Sequence, residues 1–406
     1  MRPVYGRSPW VDRVPKPRIP AYPKYRGTLD VDVAIVGGGL TGCATAYACA
    51  ASGLSVALFE ADRLAQGATA SSSGWITDDP SAPFIALSAA LGRRTARHAF
   101  QAWRRAALDF AALVRRLDLN CRLERRESLL AARTPEQADC LEREQKARRD
   151  AGLDTVLLAG KAAAGVVAFP VASAMRGRDS AVLDPYRAAL GLAAAAVGRG
   201  ARIFERSSIT RTGFTEHHAT LTLASGGVTA RHVVIATGQP APLFKPLARH
   251  FSTHTRYAAL TEPIPARVRQ LLGSREYLLR DSAAPAHRVS WVDDERLLVS
   301  GADGEPVPAR LRDRALVQRT GQLMYELSTV YPDISGVPPA YGWDLPVTTS
   351  PHRLPVIGPH RNFPHHLFAL GHAGHGVTGA YLASRILLRH CRDEAEPADE
   401  AFRFVL

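Results

Sequence analysis

The sequence predicts an α/β protein in which a parallel sheet is assembled from separated segments, with a second domain on a mainly antiparallel sheet inserted between them. Three observations carry this expectation. A glycine turn joins the short apolar run 31–36 to a helix of small residues, 40–52, and a second apolar run, 54–59, follows. A helix-then-strand pattern recurs over 184–205, and the chain returns to strand, loop and helix over 366–391. Between these segments lie strand-length runs without the regular strand–helix alternation of a single parallel sheet.

Taken in order, residues 1–29 mix Arg, Lys, Pro and Tyr with no apolar centre, and read as an extended arm along the surface of the first domain. The run 31–36 suits a buried parallel strand. Gly53 ends the following helix, and 67–74 is a Ser/Ala/Gly loop rich in free backbone donors. Residues 83–152 have helical periodicity, interrupted by a strand over 121–132 and by Pro135. Asp184 followed by Pro185 is a helix start, with Asp as N-cap and Pro at the first helical position. That helix runs to the glycines at 198–200, and 201–205 then adds a parallel strand to the first sheet. Residues 233–236, before Thr237 and Gly238, form one more buried strand. Strand runs at 257–261 and 297–300, with a helix over 309–331, complete the second sheet. The expected division is an arm (1–29), a nucleotide-binding domain (30–80, 181–240 and 341–392), an inserted domain (81–180 and 241–340) and a tail (393–406).

Composition narrows the class. A chain of 406 residues, 46% hydrophobic and 22% charged, is globular and large enough for two domains. No apolar run reaches the roughly 18 residues that a membrane span needs. The five cysteines, Cys43, Cys49, Cys121, Cys140 and Cys391, are scattered, never spaced as CxxC, and support neither a disulfide framework nor a metal site. With no signal-peptide pattern at the start, the expectation is a cytoplasmic protein. The net charge of +13 invites a nucleic-acid reading. Its densest stretch, 93–126, carries Leu, Phe and Trp at helical intervals, so it reads as amphipathic helices with a solvated basic face. Nucleic acid is therefore not the expected partner.

The strongest local signal is Gly37-Gly38-Gly39-Leu40-Thr41-Gly42 in its strand–turn–helix setting. Gly37 permits the tight turn, Gly39 the approach of backbone to a pyrophosphate, and Gly42 the packing of helix on strand. The phosphates then meet unpaired N–H groups at a helix N-terminus. Glu60 ends the second strand, placed to hold ribose hydroxyls. This is a Rossmann-like dinucleotide site. The second strand leads into Ala61, Arg63 and the loop containing Thr69, Ser71, Ser72, Ser73 and Gly74, not into a second nucleotide-binding half, which favours FAD over NAD.

The stretches VDVAIVGGGLTG (31–42), FEADRLAQGATASSSG (59–74), LDPYRAALGLA (183–193), VVIATG (233–238), SPHRLPVIGPH (350–360) and LFALGHAGHGVTGAYLASRILL (367–388) occur in the order found in the D-amino-acid oxidase family. The chain resembles that family over residues 10–392, closest to the branch of glycine oxidase and gamma-glutamylputrescine oxidase. The resemblance implies an FAD-binding domain interleaved with an α+β substrate domain, and oxidation of a C–N bond of an amine or amino acid to an imine. It implies flavin contacts from Gly37, Gly39, Leu40, Thr41, Gly42, Glu60, Ala61, Arg63, Thr69 and Ser71 to Gly74. It implies further contacts from Ile209, Thr237, Gly238, Arg353, Gly358, Gly374, His375, Gly376, Val377 and Thr378, with Pro355 and Ile357 nearby. The loop after Glu60 holds no histidine, and no cysteine lies between Cys140 and Cys391, so FAD is expected to be noncovalent.

The expected chemistry is hydride transfer from the carbon beside a neutral amine to flavin N5, with the helix from 377 stabilising negative charge on the reduced ring. Candidate catalytic residues are His372, His375, Arg288, Tyr257 and Trp343. Some relatives place a carboxylate-binding arginine where this chain has Trp291 or Val292, so Arg288 is the nearest substitute, and a simple amino-acid substrate is not assured. Metal ligands are not expected, and the electron acceptor is oxygen or a quinone. The competing readings are a flavoprotein acting on a modified side chain or nucleoside in a macromolecule, and a flavin-binding protein without turnover.

Overall fold

A computed structural model describes residues 3–371 and 376–404. The nucleotide-type sheet has the strand order Val356–His360, Phe363–Leu370, Gly226–Gly238, Gly27–Val36, Val56–Phe59 and Arg202–Phe204. All neighbours in that order are parallel except the antiparallel edge pair Val356–His360 with Phe363–Leu370. At its centre the segments 33–35, 56–59 and 233–236 are apolar and buried on both faces, as a parallel sheet covered on both sides requires. A meander, Ile209–Phe214 and Ala219–Leu223, leads antiparallel into the first half of Gly226–Gly238. That strand is therefore much longer than the 233–236 core legible from hydrophobicity.

Three helices cover one face, with Leu40–Ala51 packed between Pro185–Val197 and Gly376–Cys391. Ala, Gly, Thr and Cys dominate the first of these and let the helix axes come close. Asp184 caps its helix as expected, accepting a hydrogen bond from the Arg187 N–H at 3.0 Å. The strands Gly27–Val36 and Phe363–Leu370 both run parallel to Gly226–Gly238, which lies between them. The helices after them consequently begin at the same, carboxyl-end edge of the sheet, where such folds bind ligands.

The second sheet runs Val4–Tyr5, Pro339–Thr349, Ser252–Thr261, Arg296–Gly304, Arg288–Val292, Tyr277–Asp281, Glu124–Ala132, Ser173–Val182 and Trp75–Ile76, with Val156–Ala159 also on Ser173–Val182. It is mainly antiparallel. One face packs on the helix Arg312–Val330 through Tyr257, Ala259, Leu316, Leu323 and Leu327. The other face turns toward the nucleotide domain.

Several expected boundaries move. Residues 341–349 belong to the second sheet, because Pro339–Thr349 pairs along its whole length with Ser252–Thr261. Trp75–Ile76 joins the same sheet through Ser173–Val182. The helix Arg93–Arg116, expected in the inserted domain, buries Phe100, Trp103 and Phe110 and packs on the last helix, Phe110 and Tyr381 lying 5.0 Å apart. Fully burying such a side chain is worth roughly 1.5–3 kcal/mol, enough to fix the helix to that neighbour. The arm is not laid on the first domain alone. Val4–Tyr5 adds a parallel edge strand to the second sheet, and Trp10 enters the main core. The tail is also anchored, with Phe402 and Phe404 buried. Among the described residues, no helix is long and apolar enough to cross a membrane.

Candidate functional site

The turn after Gly27–Val36 is shaped by close backbone approach. Gly37 has φ +109°, and a Cβ there would lie 2.8 Å from the Ala236 carbonyl oxygen. A Cβ at Gly42 would lie 1.9 Å from the Gly37 oxygen, so only glycine lets this helix start so near its own turn. Glu60 accepts hydrogen bonds from Gly38 N–H at 2.7 Å and from Asp62 N–H at 2.9 Å. Its carboxylate is thus fixed beside the turn, with exposed Ala61 next to it. Thr69 reaches back from the following loop, its hydroxyl accepting the Leu40 N–H at 2.8 Å, while Thr41 sits buried in the first helical turn.

Glu205 organises the next layer and was not singled out in the sequence. Buried at the end of Arg202–Phe204, it accepts from Leu64 N–H at 2.9 Å, Tyr22 N–H at 3.3 Å and the Arg63 guanidinium at 3.1 Å. Arg63 is therefore aimed by a buried carboxylate contributed from 142 residues further along. The neighbouring Ser207 N–H donates to the Glu60 carbonyl, which places Ile209 two residues beyond that contact. Thr237 and Gly238 follow Ala236 at the glycine turn, and the Gly238 carbonyl accepts the Gly371 N–H.

The loop from Gly67 to Gly74 contains one helical turn, Ala68–Ser71, and is held by two distant tryptophans. Trp343 donates its indole N–H to the Ser71 carbonyl at 3.0 Å, and Trp10 donates to the Ser72 carbonyl at 2.8 Å. Gly74, at φ +76°, packs with its α-carbon against the Leu183 carbonyl, where a Cβ would lie 2.0 Å away. These contacts fix the backbone of Ser71, Ser72 and Ser73 across from the glycine turn.

The last helix, Gly376–Cys391, is tied to the same place. The Thr378 hydroxyl accepts the Thr77 N–H at 2.9 Å and donates to the Thr77 carbonyl at 3.0 Å. Gly376 abuts the Trp75 carbonyl, and Val377 is buried. His372, Gly374 and His375 lie outside the described residues.

Between that helix start and the second sheet is a cavity lined by Ser72, Ser73, Trp75, Arg288, Trp343 and Gly376, among others. The sheet supplies its wall through cross-strand register. Arg280 pairs with Arg288, Arg288 with Ser300, Ser300 with Ala258, and Ala258 with Trp343, so these side chains form one row on one face. Arg256, two residues from Ala258 on that face, also lines the cavity. It forms a bidentate pair with Asp303 at 2.8 and 2.6 Å, and His254 approaches the same carboxylate at 3.1 Å. Burial works against the Asp303 charge, but the His254 and Arg256 hydrogen bonds hold its carboxyl down to about 2.

Arg288 and Trp343 are thus brought together, whereas Tyr257 is not. A strand turns successive side chains to opposite faces, and Tyr257 lies on the face covered by Arg312–Val330, with the Arg319 guanidinium 5.8 Å from its ring centre. Gly358 does not line this cavity either. It lies on the antiparallel edge strand with a Cβ direction 3.1 Å from the His390 ring, in the last turn of the helix that Gly376 begins. Arg353 is exposed in the turn before that strand, with φ +61°, near enough to Arg280 to disfavour its charge. Arg256, Arg280, Ser300 and Trp75 were missed. Alternation along 252–261 separates Arg256 from Tyr257, but only the register joins residues from different strands.

A glycine turn against two close carbonyls, a carboxylate at the end of the second strand and two helix starts at one sheet edge form an arrangement that could hold a dinucleotide such as FAD. The residues present fit that cofactor, since the cradle has room only for main chain where phosphates would pass. With a second sheet over the cavity, the arrangement is one in which a flavin oxidoreductase could work. Residues 32–389 match the family described as FAD dependent oxidoreductase, and the chain belongs to it. It is 25% identical over 375 residues to a gamma-glutamylputrescine oxidoreductase of Escherichia coli (strain K12), covering 92% of this chain and 86% of that one. It is similar in fold to glycine oxidase from Geobacillus kaustophilus, with TM-score 0.75, 21% identity and coverage of 93% and 99% of the two chains. L-proline dehydrogenase from P. horikoshii gives TM-score 0.74 at 16% identity, covering 92% and 96%.

Proposed function

We propose that this FAD-dependent oxidoreductase oxidises a C–N bond of a small amine or amino acid to an imine, with the cofactor held noncovalently. The observation that carries the reading is the row Arg288, Ser300, Ala258 and Trp343 facing the start of the last helix across one small cavity. Relatives named for gamma-glutamylputrescine, glycine and L-proline support an amine-bearing substrate. Gly37, Gly39, Leu40, Thr41, Gly42, Glu60, Arg63 and the loop Thr69 to Gly74 would hold the dinucleotide. Thr237, Gly238, Gly376, Val377 and Thr378 complete the enclosure.

When bound, FAD supplies the electron sink that accepts a hydride from the carbon next to nitrogen. The chain's own part is to position and desolvate the amine. Among its described residues the cavity lining contains arginine, serine, threonine and tryptophan but no carboxylate or histidine. Arg256 is neutralised by its bidentate pair with Asp303, so Arg288 is the wall guanidinium that works against an ammonium ion and favours the neutral amine, whose nitrogen lone pair assists departure of the hydride. Trp343 and Trp75 exclude water from the same space. Ser300 offers a hydroxyl to the amine or to a substrate carboxylate. The electron acceptor is read as oxygen or a quinone. Four of the five free cysteines are buried, which suits a reducing, cytoplasmic setting.

The test is anaerobic bleaching of the purified yellow protein by a panel of primary amines, secondary amines and amino acids. At least one class should reduce the flavin, and readmitted oxygen should restore the colour only if oxygen is the acceptor. A flavin left oxidised by every member would overturn the reading.

A further inference from the structure

The catalytic cavity has a neighbour. A second cavity of about 180 Å³ shares Trp75, Thr77 and Ser81 with it and continues along the same sheet face. The cross-strand row extends into this space. Beyond Arg288 it reaches Arg280, then Leu130 on the parallel neighbour, then Met175. Two arginines therefore stand directly opposite one another, one facing each cavity.

Asp79 and Asp281 lie close enough to favour the Arg280 charge, but the hydrogen bonds of both carboxylates go to other partners. Asp79 pairs with Arg148 and accepts the Ser81 N–H, while Arg148 also binds Glu144 at 2.7 Å. Asp281 points its carboxylate to the opposite side, where it accepts His287 N–H at 2.8 Å and binds the His287 ring at 2.7 Å. Among the described residues Arg280 makes no ion pair, and its one described hydrogen bond runs to the Ser81 carbonyl at 3.3 Å. A guanidinium in this position retains most of its donors for a ligand. Asp78, Asp79, Asp154 and Asp179 also line the cavity and work against any anion, a dianion such as phosphate most, so the anion that fits must be singly charged and held directly on the planar fork of Arg280, as a carboxylate can be.

We propose that the second cavity is a substrate-tail subsite in which Arg280 binds a carboxylate remote from the carbon being oxidised. The substrate class is then an amine with a carboxylate several atoms from its nitrogen. This rests on the amine-oxidation reading for which end reacts, but not for the existence of the anion site. A water occupies about 30 Å³ of liquid, so the cavity admits a tail of several heavy atoms. Leu130 and Met175 offer that tail an apolar floor beside the arginine.

The test uses the FAD-loaded protein with glutarate as a non-reacting probe, followed by calorimetry, and the variants Arg280→Met and Arg280→Lys. Wild type should bind glutarate, Arg280→Met should bind it roughly 10- to 100-fold more weakly, and Arg280→Lys should fall between them. In parallel, flavin reduction by 5-aminopentanoate is compared with that by pentylamine. The ratio of their kcat/KM values should favour the acid in wild type and collapse toward one in Arg280→Met. Equal glutarate binding by wild type and folded, FAD-bound Arg280→Met overturns the subsite, as does no binding by wild type. Glutarate binding through Arg280 with no amine able to bleach the flavin leaves the subsite standing and removes the oxidation reading instead. Bleaching by pentylamine with no preference for the acid does the reverse.

Discussion

The glycine turn and the arginine row are built on opposite plans. The turn draws on a short span of chain, 37–74, and works almost wholly with backbone, since its glycines clear space, its helix start points N–H groups and Glu60 fastens the frame. The row on the second sheet takes one residue from each of five strands spread over 258–343, and works with side chains. Backbone chemistry is fixed by neighbours in sequence. Side-chain chemistry on a sheet is fixed by register, which joins residues far apart in the chain.

The largest effect should come from breaking the backbone plan. Gly42→Val puts a branched side chain where even a Cβ would lie 1.9 Å from the Gly37 oxygen. The turn and helix must separate, at a cost of about 3 kcal/mol or more. The purified variant should be colourless and should not recover its absorbance when FAD is added. A yellow Gly42→Val protein with wild-type melting would show that the cradle tolerates what its geometry forbids.

This contrast explains what was legible in the sequence. The turn, Glu60, the Asp184 cap and the closing helix each announce themselves within about a dozen residues, and the fold places them at one sheet edge. Tyr257 was misread because strand alternation gives two faces but not which one meets the cofactor. Arg256 and Ala258 share the cavity face, and Tyr257 is buried against the helix Arg312–Val330. Gly358 came from the resemblance and not from a local signal, and in the fold its α-carbon faces the ring of His390. Glu205 carried no local signal, since its partners Tyr22, Arg63 and Leu64 meet it only after the strand Arg202–Phe204 has paired with Val56–Phe59.

A second effect sharpens the side-chain plan through pH. His287 lies between Asp281, at 2.7 Å, and Glu326 of the helix Arg312–Val330, at 3.0 Å, and the Asp281 hydrogen bond raises its ring to about 9. It thereby fastens the ends of two strands to that helix, one residue before Arg288. The folded state holds this proton more tightly than the unfolded chain, so the contribution is complete below about pH 6.5 and is lost as pH rises through about 9. At 1.36 kcal/mol per unit the whole effect is about 3 kcal/mol or less. Wild type should lose stability relative to His287→Gln between pH 6 and pH 10 in urea unfolding. Parallel pH profiles for the two proteins would show that the histidine fastens nothing.

The smallest effect tests where the two plans meet. Trp343 belongs to the row, yet its indole N–H holds the Ser71 carbonyl of the dinucleotide loop, while Trp10 of the arm holds the Ser72 carbonyl in the same way. Each phenylalanine variant, Trp343→Phe and Trp10→Phe, removes one such hydrogen bond, worth about 1 kcal/mol, and should weaken FAD binding by a factor of about five. Only Trp343 also walls the cavity. Its variant should therefore change KM for the amine as well, while Trp10→Phe, once saturated with FAD, should keep the wild-type KM. A KM shift of the same size in both would mean that loop position alone governs substrate binding and that the row contributes no wall of its own.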